Sequence, residues 1–342
     1  MAPNVIVVRP DSAGDVLLSG PAVRAVAASA ARVTLLAGPR GEAAARLLPG
    51  VDEVIVCELP WIDASPAPVS RSVLLGLADE IARREFDQGM ILTSFHQSAL
   101  PTALLLRLAG VKVLAAISDD YPGSLLDVRL PAPGDVHEVT RALAVASALG
   151  FELPPGDEGA LQIHRRGTRP HELEAASEYV VVHPGAAVPA RAWEPERHAE
   201  LVVRLATSGW TVAVTGGPEE SALTARVAGP AHPQVHDLGG ATDLAGLAEV
   251  LAGAAAVVTG NTGPAHLAAA VGTPVVSLFA PTVPAARWRP WRVPHELLHE
   301  PVECAGCRAQ ECPVPGHPCL ARVPVSAVLA AVERLAPDGS AP

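Results

Sequence analysis

VVTGNTGPAHLAAAVGTPVVSLFAPT, from Val257 to Thr282, holds two apolar runs with an Ala-rich stretch between them. Val257–Thr259 is β-branched and reads as the end of a buried strand. Gly260-Asn261-Thr262-Gly263 interrupts it, and Pro264 stands where a helix would open. Proline suits that position because its missing N–H would have no intrahelical partner there. The helix Pro264–Val271 then returns to a second strand, Pro274–Phe279. Strand, turn, helix and strand in this order predict one βαβ unit of a parallel sheet. Thr262 or Gly263 caps the helix, and the leading N–H groups with the helix dipole favour an anion such as phosphate. His266, in the first turn, adds a donor to the same place. A capped turn with a locally packed histidine is the plainer alternative. The turn is not a Walker A sequence, and the chain has no G-x-G-x-x-G.

The same alternation extends in both directions. Upstream, strands at Tyr179–Val182, Thr211–Thr215, Gln234–His236 and Ala255–Thr259 are separated by helices at Pro195–Thr207, Glu219–Ala228 and Asp243–Leu251. In the N-terminal half, strands at Asn4–Val8, Arg32–Leu36, Glu53–Cys57, Met90–Thr93 and Val111–Ala115 alternate with helices at Asp15–Ala30, Glu42–Leu48, Ser72–Arg84 and Ser98–Leu108. The period loosens after a helix at Glu138–Ala148. Phe151–Pro170 reads as a linker plus an edge element. The expectation is α/β architecture with two Rossmann-like, doubly wound domains facing a central cleft. The first spans 1–165 and the second 166–325, with a C-terminal helix and tail over 326–342. Ligands in such sheets bind beyond the carboxyl ends of the strands.

Composition narrows the function classes. The chain has 342 residues, 49% of them hydrophobic, enough for two packed cores, and aromatics are only 3%, so Ala, Val and Leu must fill those cores. A formal charge of -11 argues against a nucleic-acid surface. No run is apolar enough to span a membrane, and the N-terminus lacks the pattern of a signal peptide. A cytoplasmic location, with at most peripheral membrane contact, is the expectation.

Four further segments carry candidate chemistry. In VVHPGAAVPARAW, His183 and Gly185 follow a strand and Arg191 lies on the loop after it, suited to neutralising a diphosphate leaving group or simply to stacking on Trp193. In TGGPEE, Gly216 and Gly217 allow close backbone approach. Glu219 or Glu220 can accept hydrogen bonds from ribose hydroxyls or merely favour the helix start. In the first βα loop, Gly14 permits a tight turn and Asp15 is a candidate general base or an N-cap. Finally, Cys304, Cys307, Cys312 and Cys319 lie within one short segment with His317. They suggest a closed structural zinc site, less readily an iron–sulfur cluster, or else reduced thiols. Cys57 reads as packed strand core.

Together, SAGDVLLSGPAVRA, HQSALPTALLLRLAGV, HPGAAVPARAW, TGGPEE, GNTGPAHLAAAVGTPVV with FAPT, and CAGCRAQECPVPGHPC resemble glycosyltransferase family 9, the group of ADP-heptose:lipopolysaccharide heptosyltransferases. The resemblance covers most of the chain. It implies a GT-B fold, an acceptor-binding N-terminal domain, a nucleotide-sugar-binding C-terminal domain, and inverting transfer that needs no metal cofactor. The family's aspartate base matches Asp15, and its lysine before the tryptophan matches Arg191. Its ribose-binding acid matches Glu219 or Glu220, and its D-[ST]-G-x-x-H turn matches Asn261, Thr262, Gly263 and His266. Asn261 in place of Asp cannot carry charge, and Arg191 changes the geometry of the cation. The implied activity is transfer of a sugar, heptose by family default, from a nucleoside-diphosphate sugar such as ADP-heptose. The implied acceptor is a hydroxyl of a glycan, glycolipid or small molecule, with lipopolysaccharide core biosynthesis as the default role and a monomer as the working form. The rival readings are a sugar-nucleotide epimerase or hydrolase of the same fold, and a non-catalytic nucleotide-binding protein.

Overall fold

In the computed structural model the described residues are 1–63, 66–168, 170–173, 176 and 178–337. Residues 64–65, between the expected strand Glu53–Cys57 and helix Ser72–Arg84, and parts of the expected linker (169) and C-terminal tail (338–342) lie outside them. The chain forms two compact units, 1–164 and 165–342.

The first unit runs β1 (Asn4–Arg9), α1 (Ala13–Leu18), α2 (Gly20–Ala27), β2 (Arg32–Ala37), α3 (Glu42–Ala45), β3 (Glu53–Val56), α4 (Arg71–Ala82), β4 (Gln88–Ile91), α5 (Leu100–Leu108), β5 (Val113–Ile117), β6 (Val128–Leu130) and α6 (Glu138–Ala148). The second runs β7 (Tyr179–His183), α7 (Pro195–Thr207), β8 (Thr211–Gly216), α8 (Ser221–Ala228), β9 (Val235–Gly239), α9 (Leu244–Ala252), β10 (Ala256–Gly260), α10 (Gly263–Ala270), β11 (Val275–Leu278), α11 (Ala285–Trp288), β12 (His295–Leu298), α12 (Pro318–Ala321) and α13 (Val325–Leu335).

Each unit holds one six-stranded parallel sheet. The orders are β3-β2-β1-β4-β5-β6 and β12-β11-β10-β7-β8-β9, the second being the first read from the other edge. Central strands buried on both faces need continuous apolar runs, and Val5–Val8, Val180–Val182 and Ala256–Val258 supply them. Ile6 and Val8 join a core with Leu77 and Ile81 of α4 and Leu105 and Leu106 of α5. Val5 and Val7 alternate to the opposite face, as a period of two requires. In the second unit Val180, Val212, Val258 and Val276 pack with Leu201 and Leu205 of α7 and Val328 and Val332 of α13. That places α13 in the same core as the sheet. Burying each such side chain contributes about 1.5–3 kcal/mol.

Several expectations shift. The helix expected over Asp15–Ala30 is two helices, because Ser19 ends α1 and caps α2 just before Gly20-Pro21, where the proline cannot donate to the preceding turn. The sheet edges β6 and β12 have no counterpart in the sequence reading. They are short and only half-buried, so they lack the apolar run that marks central strands. The edge element expected in Phe151–Pro170 is absent among the described residues; β6 takes that place. The stretch instead packs on the first unit through buried Phe151 and Leu161 and through Arg24, whose Nε and Nη2 meet Asp157 Oδ2 and Oδ1 at 2.7 and 3.0 Å. Cys57 lies one residue past β3 and is half-buried at the margin of the core.

Candidate active site

In each unit the chain runs outward through the sheet one way and then the other, so the order reverses between β1 and β4 and between β7 and β10. Loops at the carboxyl ends of such a pair diverge and leave room for ligands. The candidate residues gather at these two points.

In the first unit, β1 delivers Arg9 and the following loop delivers Asp11 and Asp15. Ser12 is the N-cap of α1, so Asp15 stands at the third helical position and not at the cap. Its Oδ1 accepts from Arg9 Nη2 at 2.9 Å and its Oδ2 from Ser12 Oγ at 2.9 Å. The Asp15 side chain remains 19% exposed, whereas Arg9 is 4% exposed. Arg9 Nε lies 3.1 Å from Asp11 Oδ2, and Arg9 Nη2 also reaches Ser94 Oγ at 3.1 Å, beyond β4. Gln97 Nε2 donates to Asp11 Oδ1 at 2.7 Å. Burial alone would lower the Arg9 pKa, but Asp11, Asp15 and Glu138 outweigh it and raise it, so the guanidinium is a fixed positive charge. Burial pushes the Asp11 carboxyl up, and the nearby Asp15 charge adds to that. Gly14 lies buried in the first turn of α1 and is not among the residues with left-handed φ, so the tight turn expected of it is not formed. A separate hollow of about 170 Å³ at the ends of β1, β2 and β3 is lined by Pro10, Gly38, Arg40, Glu58, Ile62 and Asp63, among others.

In the second unit, His183 ends β7. Its Nδ1 is 3.0 Å from Thr215 Oγ1, and burial lowers its pKa to about 4. The ring is therefore neutral near pH 7, and its 3.9 Å approach to Glu220 Oε2 is not an ion pair. Gly185 leaves room for the Glu220 carboxylate to lie against the loop: a Cβ would stand 2.0 Å from Glu220 Oε1, so the carboxylate would have to swing aside. Glu220 Oε2 in turn accepts from Gly217 N–H at 2.8 Å. The structure thus brings Glu220 against Gly185 and His183, while Glu219 is exposed on the turn between β8 and α8. Gly216 is buried, with Thr224 Cγ2 2.7 Å from where its Cβ would be.

After β10, Thr262 is the N-cap of α10, with Gly263 first and Pro264 second in the helix. Thr262 makes no side-chain capping bond; its hydroxyl lies 3.3 Å from Thr259 Oγ1. Pro264 has no N–H and Ala265 N–H donates to Thr262 O at 3.1 Å, so Gly263 is the residue of this helix start whose N–H can meet an outside acceptor. His266 is buried within the first turn. Asn261 is buried, its Nδ2 at 3.5 Å from the Ala280 carbonyl and its Oδ1 without a hydrogen-bond partner. Arg191 ends a one-turn helix, Pro189–Arg191, and its carbonyl packs 3.2 Å from where a Gly260 Cβ would be. Its Nε donates to Thr282 Oγ1 at 3.2 Å. Trp193 is buried edge-on to His198, ring centroids 4.9 Å apart.

The four C-terminal cysteines are free thiols and line one small cavity with His317. Burial raises the Cys319 pKa, with Cys312 and Cys304 adding to it. Among the described residues, however, no three His, Cys, Asp or Glu side chains are gathered as a metal ion would require. The thiol chemistry suits a soft metal, but a formed site is not there. The segment is tied to the Arg191 turn: Ala190 N–H donates to Gln310 O at 2.9 Å, and His317 Nε2 is 3.1 Å from Ala190 O. Arg308 N–H donates to Thr282 O at 3.0 Å.

Sequence reasoning missed Arg9, Glu138, Arg141 and Thr282. Only Arg9 left a local signal, as a charge closing an otherwise apolar strand.

Fold and sites define a class: a two-unit, doubly wound α/β protein with charged side chains or a helix start in the loops at both reversal points. The family model of glycosyltransferase family 9 (heptosyltransferase) matches residues 75–317, and the chain belongs to that family. Lipopolysaccharide heptosyltransferase 1 of Pseudomonas aeruginosa is 31% identical over 211 residues, which cover 59% of this chain and 57% of that protein. The chain therefore matches little more than half the length of this curated relative. The solved Escherichia coli ADP-heptose heptosyltransferase II superposes with a TM-score of 0.76 at 19% identity, covering 99% of this chain and 100% of that one. Escherichia coli heptosyltransferase WaaC with ADP-2-deoxy-2-fluoro heptose gives 0.71 at 23% identity, covering 97% and 99%. The fold is the GT-B fold of these enzymes.

Proposed function

We propose that the chain is an inverting glycosyltransferase that moves a sugar from a nucleoside-diphosphate donor, with ADP-heptose as first candidate, to an acceptor hydroxyl. The observation that carries the proposal is the packing of the Arg191 turn on Gly260, which sets a guanidinium-bearing segment beside the N-terminus of α10. A diphosphate there meets a helix N-terminus and a planar cation together. Gly263, Thr262 and His266 receive the phosphates, Glu220 takes the ribose hydroxyls, and Arg191 neutralises the leaving group. Asn261 contributes an amide where a carboxylate would repel the diphosphate.

The first unit supplies the base. Asp15 takes the proton of the acceptor hydroxyl as that oxygen bonds to the anomeric carbon. The bond from that carbon to the diphosphate oxygen breaks, and its electron pair leaves with the nucleoside diphosphate. The hollow lined by Arg40, Glu58 and Asp63 holds part of the acceptor. Relatives named for lipopolysaccharide supply the default acceptor class, a lipid-linked core glycan. Charge neutralisation by Arg191 and α10 requires no divalent ion, so chelation by EDTA is expected to leave turnover unchanged.

The test is turnover of ADP-heptose with and without a lipopolysaccharide-core acceptor. Acceptor-dependent release of ADP supports the transferase. Donor consumption without acceptor supports the epimerase or hydrolase, and no consumption with intact ADP binding supports a non-catalytic nucleotide-binding protein.

A further inference from the structure

In the first unit the guanidinium of buried Arg9 lies among three buried charged side chains, Asp11, Glu138 and Arg141, and the partly exposed Asp15. Arg9 meets Asp11 through Nε, Asp15 and Ser94 through Nη2, and Glu138 Oε2 through Nη1 at 3.8 Å. Glu138 opens α6, 129 positions from Arg9 in the chain, and its Oε1 lies 3.1 Å from Arg141 Nε. Glu138 and Arg141 are 3% and 5% exposed, and a small cavity beside them is lined by Arg9, Thr93, Ile117 and Val145 among others. Burying charges costs desolvation that their mutual attraction seldom recovers, and apolar replacements are often neutral or stabilising. Packing α6 onto the sheet therefore does not explain a Glu–Arg pair there. Its direct partner is the same guanidinium that holds Asp15.

We propose that Glu138 and Arg141 are positioning residues that act through Arg9: they fix the guanidinium fork on Asp15 and set how strongly its charge stabilises the Asp15 carboxylate. Arg9 divides its charge among three carboxylates. Glu138 draws part of it away from Asp15, and Arg141 draws part of Glu138 back. The balance keeps Asp15 ionised without making it a poor proton acceptor. Asp11 and Ser94 meet Arg9, Ser12 bonds Asp15, Gln97 bonds Asp11 and His96 lies near it, while His137, just before α6, caps that helix through Val139 N–H. On α3, which packs on α1, Glu42 and Arg46 are paired with each other at 2.8 Å, and on α2 Arg24 is held by Asp157.

The inference deepens the base reading, so its test is chosen to need neither donor nor acceptor. The full chain is labelled with ¹³C at aspartate carboxyl carbons and titrated by NMR, with Asp15→Asn identifying the Asp15 resonance. Arg9→Met is expected to raise the Asp15 midpoint by about one to three pH units. Glu138→Gln, which keeps size and removes charge, is expected to lower it by about half a unit to one unit, and Arg9→Lys to return it toward the native value. Opposite shifts in Arg9→Met and Glu138→Gln establish the device. If Arg9→Met does not fold, the downward shift in Glu138→Gln alone decides. An unmoved Asp15 midpoint in Glu138→Gln, with or without a loss of thermal stability, overturns the proposal. Full turnover of Asp15→Asn would instead remove the base reading and leave the titration result standing.

Discussion

Asp15 and Gly185 show how much a single residue carries here. Asp15 is inside the helix, bonded to Arg9 and Ser12, and still partly open to solvent. A positioned base is worth about 10²–10⁴-fold, so Asp15→Asn is expected to lose that much turnover while ADP affinity stays unchanged. Comparable turnover in steady-state assays would exclude the role. Gly185 is set by contact: Glu220 occupies the space a methyl would need. Gly185→Ala is expected to swing the Glu220 carboxylate aside and weaken ADP binding while changing stability by no more than about 0.5 kcal/mol, with calorimetry and denaturant midpoints as the checks. Both residues were visible in the sequence as punctuation after strands. Arg9 and Ser12, which bond Asp15, are close to it in the chain, whereas Glu220 reaches Gly185, and Ser94 reaches Arg9, only through the sheet order. The choice between Glu219 and Glu220 likewise needed the turn, which exposes one and turns the other onto Gly185.

The elements themselves divide by burial. Central strands and the helices over them announce themselves by continuous apolar runs or Ala/Leu periodicity, and most expected limits lie within two residues of the observed ones, although the helices expected to end at Ala30 and Leu48 end three residues earlier. Of the four edge strands, β3 and β9 each keep a buried apolar residue, whereas β6 and β12 are three and four residues long with none fully buried, so their sequences resemble loops. The turn before α10 was legible because Gly, Asn, Thr, Gly and Pro each have a local reason to be there. The cluster around Arg9 was illegible because it joins β1, the loop after β4 and α6. Burial also sets a pH response in β7 and α7. His183 and His198 are held neutral, with pKa values lowered by burial to about 4 and about 3. Their unfolded values lie near 6.5, so the stability that neutrality gives is complete above that pH. It is lost as pH falls towards the folded values, by about 1.4 kcal/mol per pH unit for each histidine. The denaturant midpoint is expected to be lower at pH 5.5 than at pH 7.5, and His198→Gln to flatten the difference. A midpoint independent of pH over that range would contradict the account.

For the molecule as a whole, one strand order used twice gives two reversal points, each furnished with different chemistry. The first carries a carboxylate held by a buried arginine, and the second a helix N-terminus beside an arginine-bearing turn. The chain belongs to glycosyltransferase family 9 and has the GT-B fold. Among the described residues no helix is long and apolar enough to cross a membrane. The cysteine segment, hydrogen-bonded to Ala190 and Thr282, connects the far end of the chain to the Arg191 turn. The central claim is that the second unit holds a nucleoside diphosphate through α10 and Arg191 without an exchangeable metal. Calorimetric titration of the full chain with ADP, GDP, UDP and TDP in EDTA, repeated on Arg191→Ala, tests it most directly. Selective binding of one nucleotide, ADP first, weakened by about 10- to 100-fold in Arg191→Ala, is the predicted result. Binding of none of the four, or equal affinity in the variant, would contradict it.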